Sequence, residues 1–440
     1  MKIYNTGMLV FTGIYIFAVI LSYSLQKRNI KQIIKEQETF YLYILLSAAL
    51  FIRLLFAPVI EGWPNDISAN KYWAMTAAKG LTNFYNAGWC DYPPLFIYVL
   101  SIVGKLASIP WLKDYFTLLI KLPSIIADLV TAYIIFRLAK TRLKTGLALL
   151  ACGIYAFHPA VFLDSTIWGQ VDSFFTMIIV AALLLHIKGK HGWSAVLFSA
   201  AVLMKPQGIF FLPILLFEAI RRRSLKYLIT VVSSGLMTAI VVVFPFALNQ
   251  EPLWIFKLYL NTAGEYTSIV MNAFNIFGLV GANFADGSLV PFLFSYNTWG
   301  LIFSVCVLII AGYIYLKSKH EAAAVITAVL LNSGAFIFAP KMHERYMFPV
   351  IALLLAAIIY LKEKRILVVF AGFSVTIFAN IHILFGRVLL YDVAGAHMVG
   401  RGTYPVTAVF SLMNLILFVF LVKASFDILI TGKESSLDLS

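Results

Sequence analysis

The chain has 440 residues, 61% of them apolar and 12% charged, with 34 basic against 20 acidic side chains, a formal charge of +14 and a mean hydropathy of +0.90. Soluble domains carry about 45–50% apolar and about 25% charged residues, so that class is excluded, as are disordered, collagenous and small disulfide-bonded chains. The basic residues fall in short segments between apolar runs, the pattern of membrane orientation rather than of a nucleic-acid face, and no nucleic-acid partner is expected.

Apolar runs long enough to cross a bilayer lie at about 8–25, 40–60, 115–137, 142–160, 168–187, 225–247, 294–316, 321–339, 346–361, 366–386 and 404–424. The first lacks a small-residue cleavage site and reads as a retained span, not a signal peptide. Cys152 and Cys306 lie inside apolar runs, and Cys90 in a polar loop; the three make no disulfide framework. Between Trp193 and Ile220 one long run is broken by Lys205-Pro206-Gln207, where proline interrupts the helical ladder and a lysine cannot rest in hydrocarbon. Residues 93–109 form a short apolar run opened by two prolines.

Basic clusters set the sides. Lys27/Arg28/Lys31/Lys35, Arg137/Lys140/Arg142/Lys144, Lys188/Lys190, Arg221/Arg222/Arg223/Lys226, Lys317/Lys319 and Lys362/Lys364/Arg365 are read as cytoplasmic. The 193–220 stretch then starts and ends inside, so it is a hairpin of two short helices with Lys205-Pro206-Gln207 at its external tip. Residues 93–109 are read as re-entrant or interfacial, because a full crossing would put the Arg137–Lys144 cluster outside. The expectation is an all-α polytopic integral membrane protein of about 13 transmembrane helices, N-terminus outside and C-terminus inside. It forms a single transmembrane domain over 1–440, with external segments at 61–92, 249–292, 340–346 and 387–403. The first of these carries an interfacial helix from Ile67 to Lys79, with Tyr72, Trp73 and Met75 at helical spacing.

In so apolar a chain, polar residues gathered on one side carry the information. Asp66 is a candidate catalytic carboxylate, or the N-cap of the interfacial helix. Asp91, before Tyr92-Pro93-Pro94, is a second candidate, or the start of the next helix. His158 and Asp164 precede Trp168-Gly169-Gln170-Val171-Asp172; Asp164 is either a helix cap or one of the functional polar groups, while a carboxylate at Asp172 just inside an apolar run is costly unless paired. Lys205 either snorkels to the interface or faces a ligand. The densest cluster is Lys341-Met342-His343-Glu344-Arg345-Tyr346, whose cations and imidazole suit a phosphate better than a membrane anchor. His343-Glu344 lacks a second histidine at helical spacing, so no metal site is read, although the acidic loop offers carboxylates to a divalent ion. Glu265 and Asn272-Ala273-Phe274-Asn275 offer groups for sugar hydroxyls and pyranose faces, or simply make turns. There is no Walker A loop, no GxGxxG and no Asp-x-Asp pair, and no cofactor is read.

Taken in order, Asp66, Asp91-Tyr-Pro-Pro94, Trp168-Gly-Gln170-Val-Asp172, Lys205-Pro-Gln207, Asn272-Ala-Phe-Asn275 and His343-Glu-Arg345-Tyr346 resemble the GT-C superfamily of membrane glycosyltransferases that use polyprenyl-phosphate sugars, with the bacterial and archaeal mannosyltransferase-like members most similar. The resemblance runs from about Phe40 to Tyr360. It implies inverting transfer of a hexose such as mannose or glucose to a glycan, lipid or protein hydroxyl at the external face of the plasma membrane. Asp66 would be the general base, with Asp91 the runner-up. His343, Arg345 and Lys205 would hold the donor phosphate, and Gln170, Asp172, Asn272, Asn275, Glu344 and Tyr346 would bind substrate, with no metal required. Two alternatives stand beside this reading. A secondary transporter or lipid flippase would show polar breaks at the midplane and mirrored halves, which this chain lacks. An external ligase or phosphotransferase of lipid-linked glycans would keep the basic cluster without the first-loop acid.

Overall fold

The computed structural model describes residues 2–27, 35–265, 267–391, 404–433 and 435. Arg28 and Lys31 of the first basic cluster, and residues 392–403 of the connection expected to be external, lie outside them. Every apolar run is helical: α1 (Lys2–Lys27), α2 (Lys35–Phe56), α3 (Pro64–Lys79), α4 (Pro94–Ala107), α5 (Phe116–Lys140), α6 (Thr145–Ala156), α7 (Pro159–Phe162), α8 (Asp172–Ile187), α9 (His191–Met204), α10 (Pro213–Arg222), α11 (Leu225–Ala247), α12 (Trp254–Glu265), α13 (Ile276–Leu279), α14 (Tyr296–Lys317), α15 (Ala323–Phe338), α16 (Val350–Leu361), α17 (Lys364–Tyr391) and α18 (Pro405–Phe426). A π-helical stretch, Leu163–Trp168, extends α7.

The fold is an all-α, multi-pass membrane bundle. Among the described residues seven helices are long and apolar enough to cross a bilayer, and α6 with the α7 segment, bent by 42°, makes an eighth. Helices α8, α9, α10, α15 and α16 have 10–16 residues, short of the about 20 that an upright span uses. Helix length by itself establishes seven or eight crossings. The only strands among the described residues, β1 (Val270–Met271) and β2 (Met342–His343), pair in parallel and join the 249–292 segment to the 340–346 segment.

The two ends of the bundle are held differently. At one end Lys140 pairs with Glu38 at 2.5 Å, Arg142 with Glu321 at 2.6 Å and Arg365 with Asp427 at 3.2 Å. At the other end the buried Lys121 amine, near the start of α5, donates to the carbonyls of Ala57, Ile60, Thr166 and Ile167 at 2.5–3.2 Å. This gathers the end of α2, the start of the 61–92 segment and the bent α7 segment at one point. Helix α4 belongs to that end throughout. Tyr92, just before it, lies 5.5 Å from Trp73 of α3; Ser101 donates to the Ala77 carbonyl at 3.1 Å; and the turn after it leads into the Lys121 region. Gly104 sits so close to the Ala74 carbonyl that a Cβ would come within 2.0 Å of it. Helix α4 thus packs along α3 of the 61–92 segment.

Candidate active site

At the end fixed by Lys121, a cavity of about 610 Å³ opens among the 61–92 segment, the α9–α10 turn, and the 249–292 and 340–346 segments. Its acidic wall begins with a tight crossing. Gly62 has φ 108° and lies against the Trp168 carbonyl, which a Cβ would approach to 2.2 Å, so only glycine passes there. Trp63 then donates its N–H to that carbonyl at 3.2 Å, and its ring stacks on Trp168 with centroids 4.7 Å apart. Pro64 starts α3 in the first-turn position where proline fits a helix. Asp66 is therefore not the N-cap: that position is Trp63, and no side chain caps the helix. Its Oδ2 instead accepts from the Trp168 indole at 2.9 Å and from the Gln170 amide. Oδ1 has no hydrogen-bond partner among the described residues, and Asp66 lines the cavity.

Asp91 also lines the cavity and caps no helix, since α4 begins at Pro94 with Pro93 before it. Its Oδ1 is buried without a partner. Burial, reinforced by the negative Glu265 nearby, pushes its pKa up to about 6. Trp73, Trp89, Tyr92, Tyr259 and Phe284 complete this side with aromatic faces.

The cationic wall is a network of ion pairs. Lys205, at the α9–α10 turn, is 4% exposed and gives its ammonium to Asp172 Oδ1 at 2.7 Å, so the snorkelling reading is corrected. Arg345 pairs with the other Asp172 oxygen at 3.4 Å and with Glu344, and its guanidinium lies 5.5 Å from the Trp168 ring centre. Burial disfavours charge on Glu344, but Arg345 beside it, helped by His343, outweighs that and holds the carboxyl down at about 2. Lys205 also lies 5.5 Å from the Tyr346 ring, and His343 packs on the same ring at 5.0 Å. Two cations here meet two carboxylates.

Lys341 is different. It lines the cavity and pairs with no carboxylate among the described residues; its ammonium rests on the Ala263 carbonyl. Its φ of 62° is an uncommon conformation for a residue with a side chain, fixed by a backbone bond to Ile269 beside the β1–β2 pair. Asn272, just after β1, makes an isolated antiparallel bridge with His343, has φ 56°, and is held by Asn283 and Asn380.

The structure thus brings Asp66, Asp91, Gln170, Lys205, Asn272, His343, Glu344, Arg345 and Tyr346 around one cavity. Two expected substrate residues are corrected. Asp172 does not line the cavity but stands behind Lys205 and Arg345 as their counter-ion. Asn275 is fully buried and caps α13, accepting from the Phe277 and Gly278 amides at 3.1 and 2.9 Å. Asp164 is no cap either: it is buried in the π-helical stretch, and neither carboxylate oxygen has a partner. Sequence reasoning missed Lys121, hidden in an apolar run, and the unpaired state of Lys341, which depends on where the carboxylates lie. Among the described residues no three His, Cys, Asp or Glu side chains converge as a metal-holding group.

The model of glycosyltransferase family 87 matches residues 89–340, more than half of the chain. The match contains Asp91, Gln170, Asp172, Lys205 and Asn272, and leaves Asp66 and the 341–346 motif beyond its two ends. No curated protein matches the chain.

Proposed function

The chain belongs to glycosyltransferase family 87, a GT-C-type family of membrane glycosyltransferases, and from that premise we propose that it moves a hexose, mannose or glucose, from a polyprenyl-phosphate donor to an acceptor hydroxyl with inversion. Family membership makes it an enzyme rather than a transporter or flippase. One observation carries the finer reading: a carboxylate with one oxygen tied to neutral donors and the other free shares a cavity with a cationic wall.

Asp66 Oδ1 takes the proton of the acceptor hydroxyl as its oxygen forms a bond to the anomeric carbon. The bond from that carbon to the phosphate oxygen breaks, and the electron pair leaves on polyprenyl phosphate. Trp168 and Gln170 hold the base in place through Oδ2, which leaves Oδ1 for the acceptor hydroxyl. Lys341, His343 and the Lys205–Arg345 pair stabilise the departing phosphate by charge-assisted bonds aimed before it forms. The donor's tail lies in lipid beside the bundle, and the acceptor is a glycan, lipid or protein.

The basic clusters at the opposite end support an external, plasma-membrane placement of the cavity. With α8, α9, α10, α15 and α16 counted as short crossings, the chain passes the bilayer 13 times. The test is transfer by the purified protein in lipid vesicles, supplied with polyprenyl-phosphate mannose or glucose and candidate acceptors. A product of inverted anomeric configuration together with released polyprenyl phosphate is expected. Retention of configuration overturns the mechanism, and turnover of nucleotide sugars alone overturns the donor class. Cysteines at Asn65 and Lys226 should label from opposite sides of the membrane.

A further inference from the structure

We propose that the groove between α9 and α11, at the end of the bundle opposite the cavity, binds an anionic phospholipid. The groove has a volume of about 1120 Å³. Its mouth is built by Lys190, Arg222 and Lys226, and among the described residues no carboxylate lines it. Glu218 engages Arg222 through its Nε at 2.5 Å, whereas Lys190 and Lys226 pair with no acidic side chain among the described residues. A phosphate at the mouth therefore meets two uncompensated ammonium groups and the remaining face of a guanidinium.

Past the mouth the lining changes in the order a phospholipid requires. Ser224, Thr230, Ser233 and Ser234 supply hydroxyls at the level of a glycerol backbone. Met237, Val241 and Val242 follow along α11, with Val196 and Trp193 on α9. Gly192 faces Ser234 and Thr230 across the crossing of the two helices; a Cβ there would stand 3.2 Å from the Ser234 hydroxyl, so small residues set the close approach. From Ser224 to Val242 the groove follows about 27 Å of helix, more than the roughly 20 Å from head group to midplane of one leaflet. Helix α11 is apolar and mostly exposed, with Leu236, Met237, Ile240 and Val241 each 59–62% exposed, so its outer face is open to acyl chains. A basic mouth leading into such a face selects a lipid over a free phosphate, which has no use for the apolar part.

The experiment uses the full chain in vesicles of equimolar phosphatidylcholine and phosphatidylglycerol, with mass spectrometry of the lipid that stays bound after gentle extraction. One phosphatidylglycerol per protein is expected, enriched over phosphatidylcholine by about fivefold for each unpaired lysine. The charge variant Lys190→Gln/Lys226→Gln should return the bound lipid to the bulk ratio. Val241→Trp, which keeps both lysines and fills the apolar part of the groove, should lose the retained lipid as well. Enrichment that survives both variants overturns the site. Loss in the charge variant with retention in Val241→Trp reduces it to attraction at the membrane surface and overturns the groove. Displacement of the lipid by millimolar inorganic phosphate assigns the mouth to a free anion and overturns the lipid.

Discussion

The two walls of the cavity hold their charges by opposite means. Asp66 is positioned by an indole and an amide, both neutral, and its other oxygen has no hydrogen-bond partner among the described residues. Lys205 and Arg345 are locked by Asp172 and Glu344, so their charges are matched before any substrate arrives. The difference follows from the tasks proposed for them. A base held by cations would lose its affinity for a proton, whereas a phosphate cradle held only by neutral groups would leave buried cations uncompensated. Lys341 breaks the symmetry: it stands on the cationic wall, and among the described residues it has no carboxylate partner.

The largest expected effect comes from removing the free oxygen's charge. Asp66→Asn keeps the shape and an acceptor for Trp168 but not the base, and should lower kcat by about 10²–10⁴-fold, measured with a polyprenyl-phosphate sugar, with thermal unfolding unchanged. Transfer at the unmodified rate would take the role of base away from Asp66. Next is Asp172→Asn, which leaves Lys205 and Arg345 short of a buried counter-ion. A loss of about 3–5 kcal/mol in stability is expected, read as a fall in Tm in detergent or lipid, with a weaker donor KM in the folded fraction. If Asp172→Asn instead left Tm untouched, the cationic wall would be held by something other than its ion pairs.

The helices are legible in the sequence because long apolar runs are, and so are the polar segments that meet at the cavity. The start of α3 was also within reach, since Pro64 at a first turn is a local signal, yet the expected start at Ile67 put Asp66 in the cap position. What the sequence hid is pairing across distance. Lys121 reaches carbonyls 45–64 residues away, and Arg53 finds Asp128 at 3.3 Å from 75 residues away, both inside apolar runs where a charge carries no local mark of its partner. The 341–346 cluster was read as a sum of cations; its net charge depends on Asp172, contributed by another helix. Asn275 belongs to a motif that the resemblance gives to substrate and that the sequence alone leaves open to a turn; its side chain instead caps α13.

A smaller effect tests the odd member of the cationic wall. Lys341→Gln should raise the donor KM by about tenfold or more, the worth of one charge-assisted bond, with kcat for bound donor changed less. Because no carboxylate is left unpaired, Tm should stay near that of the unmodified protein, in contrast to Asp172→Asn. A fall in Tm as large as that of Asp172→Asn would show Lys341 to be a structural cation like Lys205.

The smallest effect separates the two carboxylates of the acidic wall. The Asp91 carboxyl is held up at about 6, so it is neutral below that pH and charged above it. If Asp66 is the base, ionising Asp91 only adds a negative neighbour to the cavity. The pH profile of kcat/KM should then show a shallow step near pH 6, well under tenfold in total, which Asp91→Asn removes while transfer continues. If Asp91 were the base, the rate would instead rise about tenfold per pH unit up to pH 6 and level off above it, and Asp91→Asn would abolish transfer rather than flatten a step. The burial that raises Asp91 also leaves its Oδ1 without a partner, so the variant removes no hydrogen bond made through that oxygen. A profile measured on Asp91→Asn and Asp66→Asn side by side therefore assigns the proton to one wall position, because only the base takes both the limb and the turnover with it.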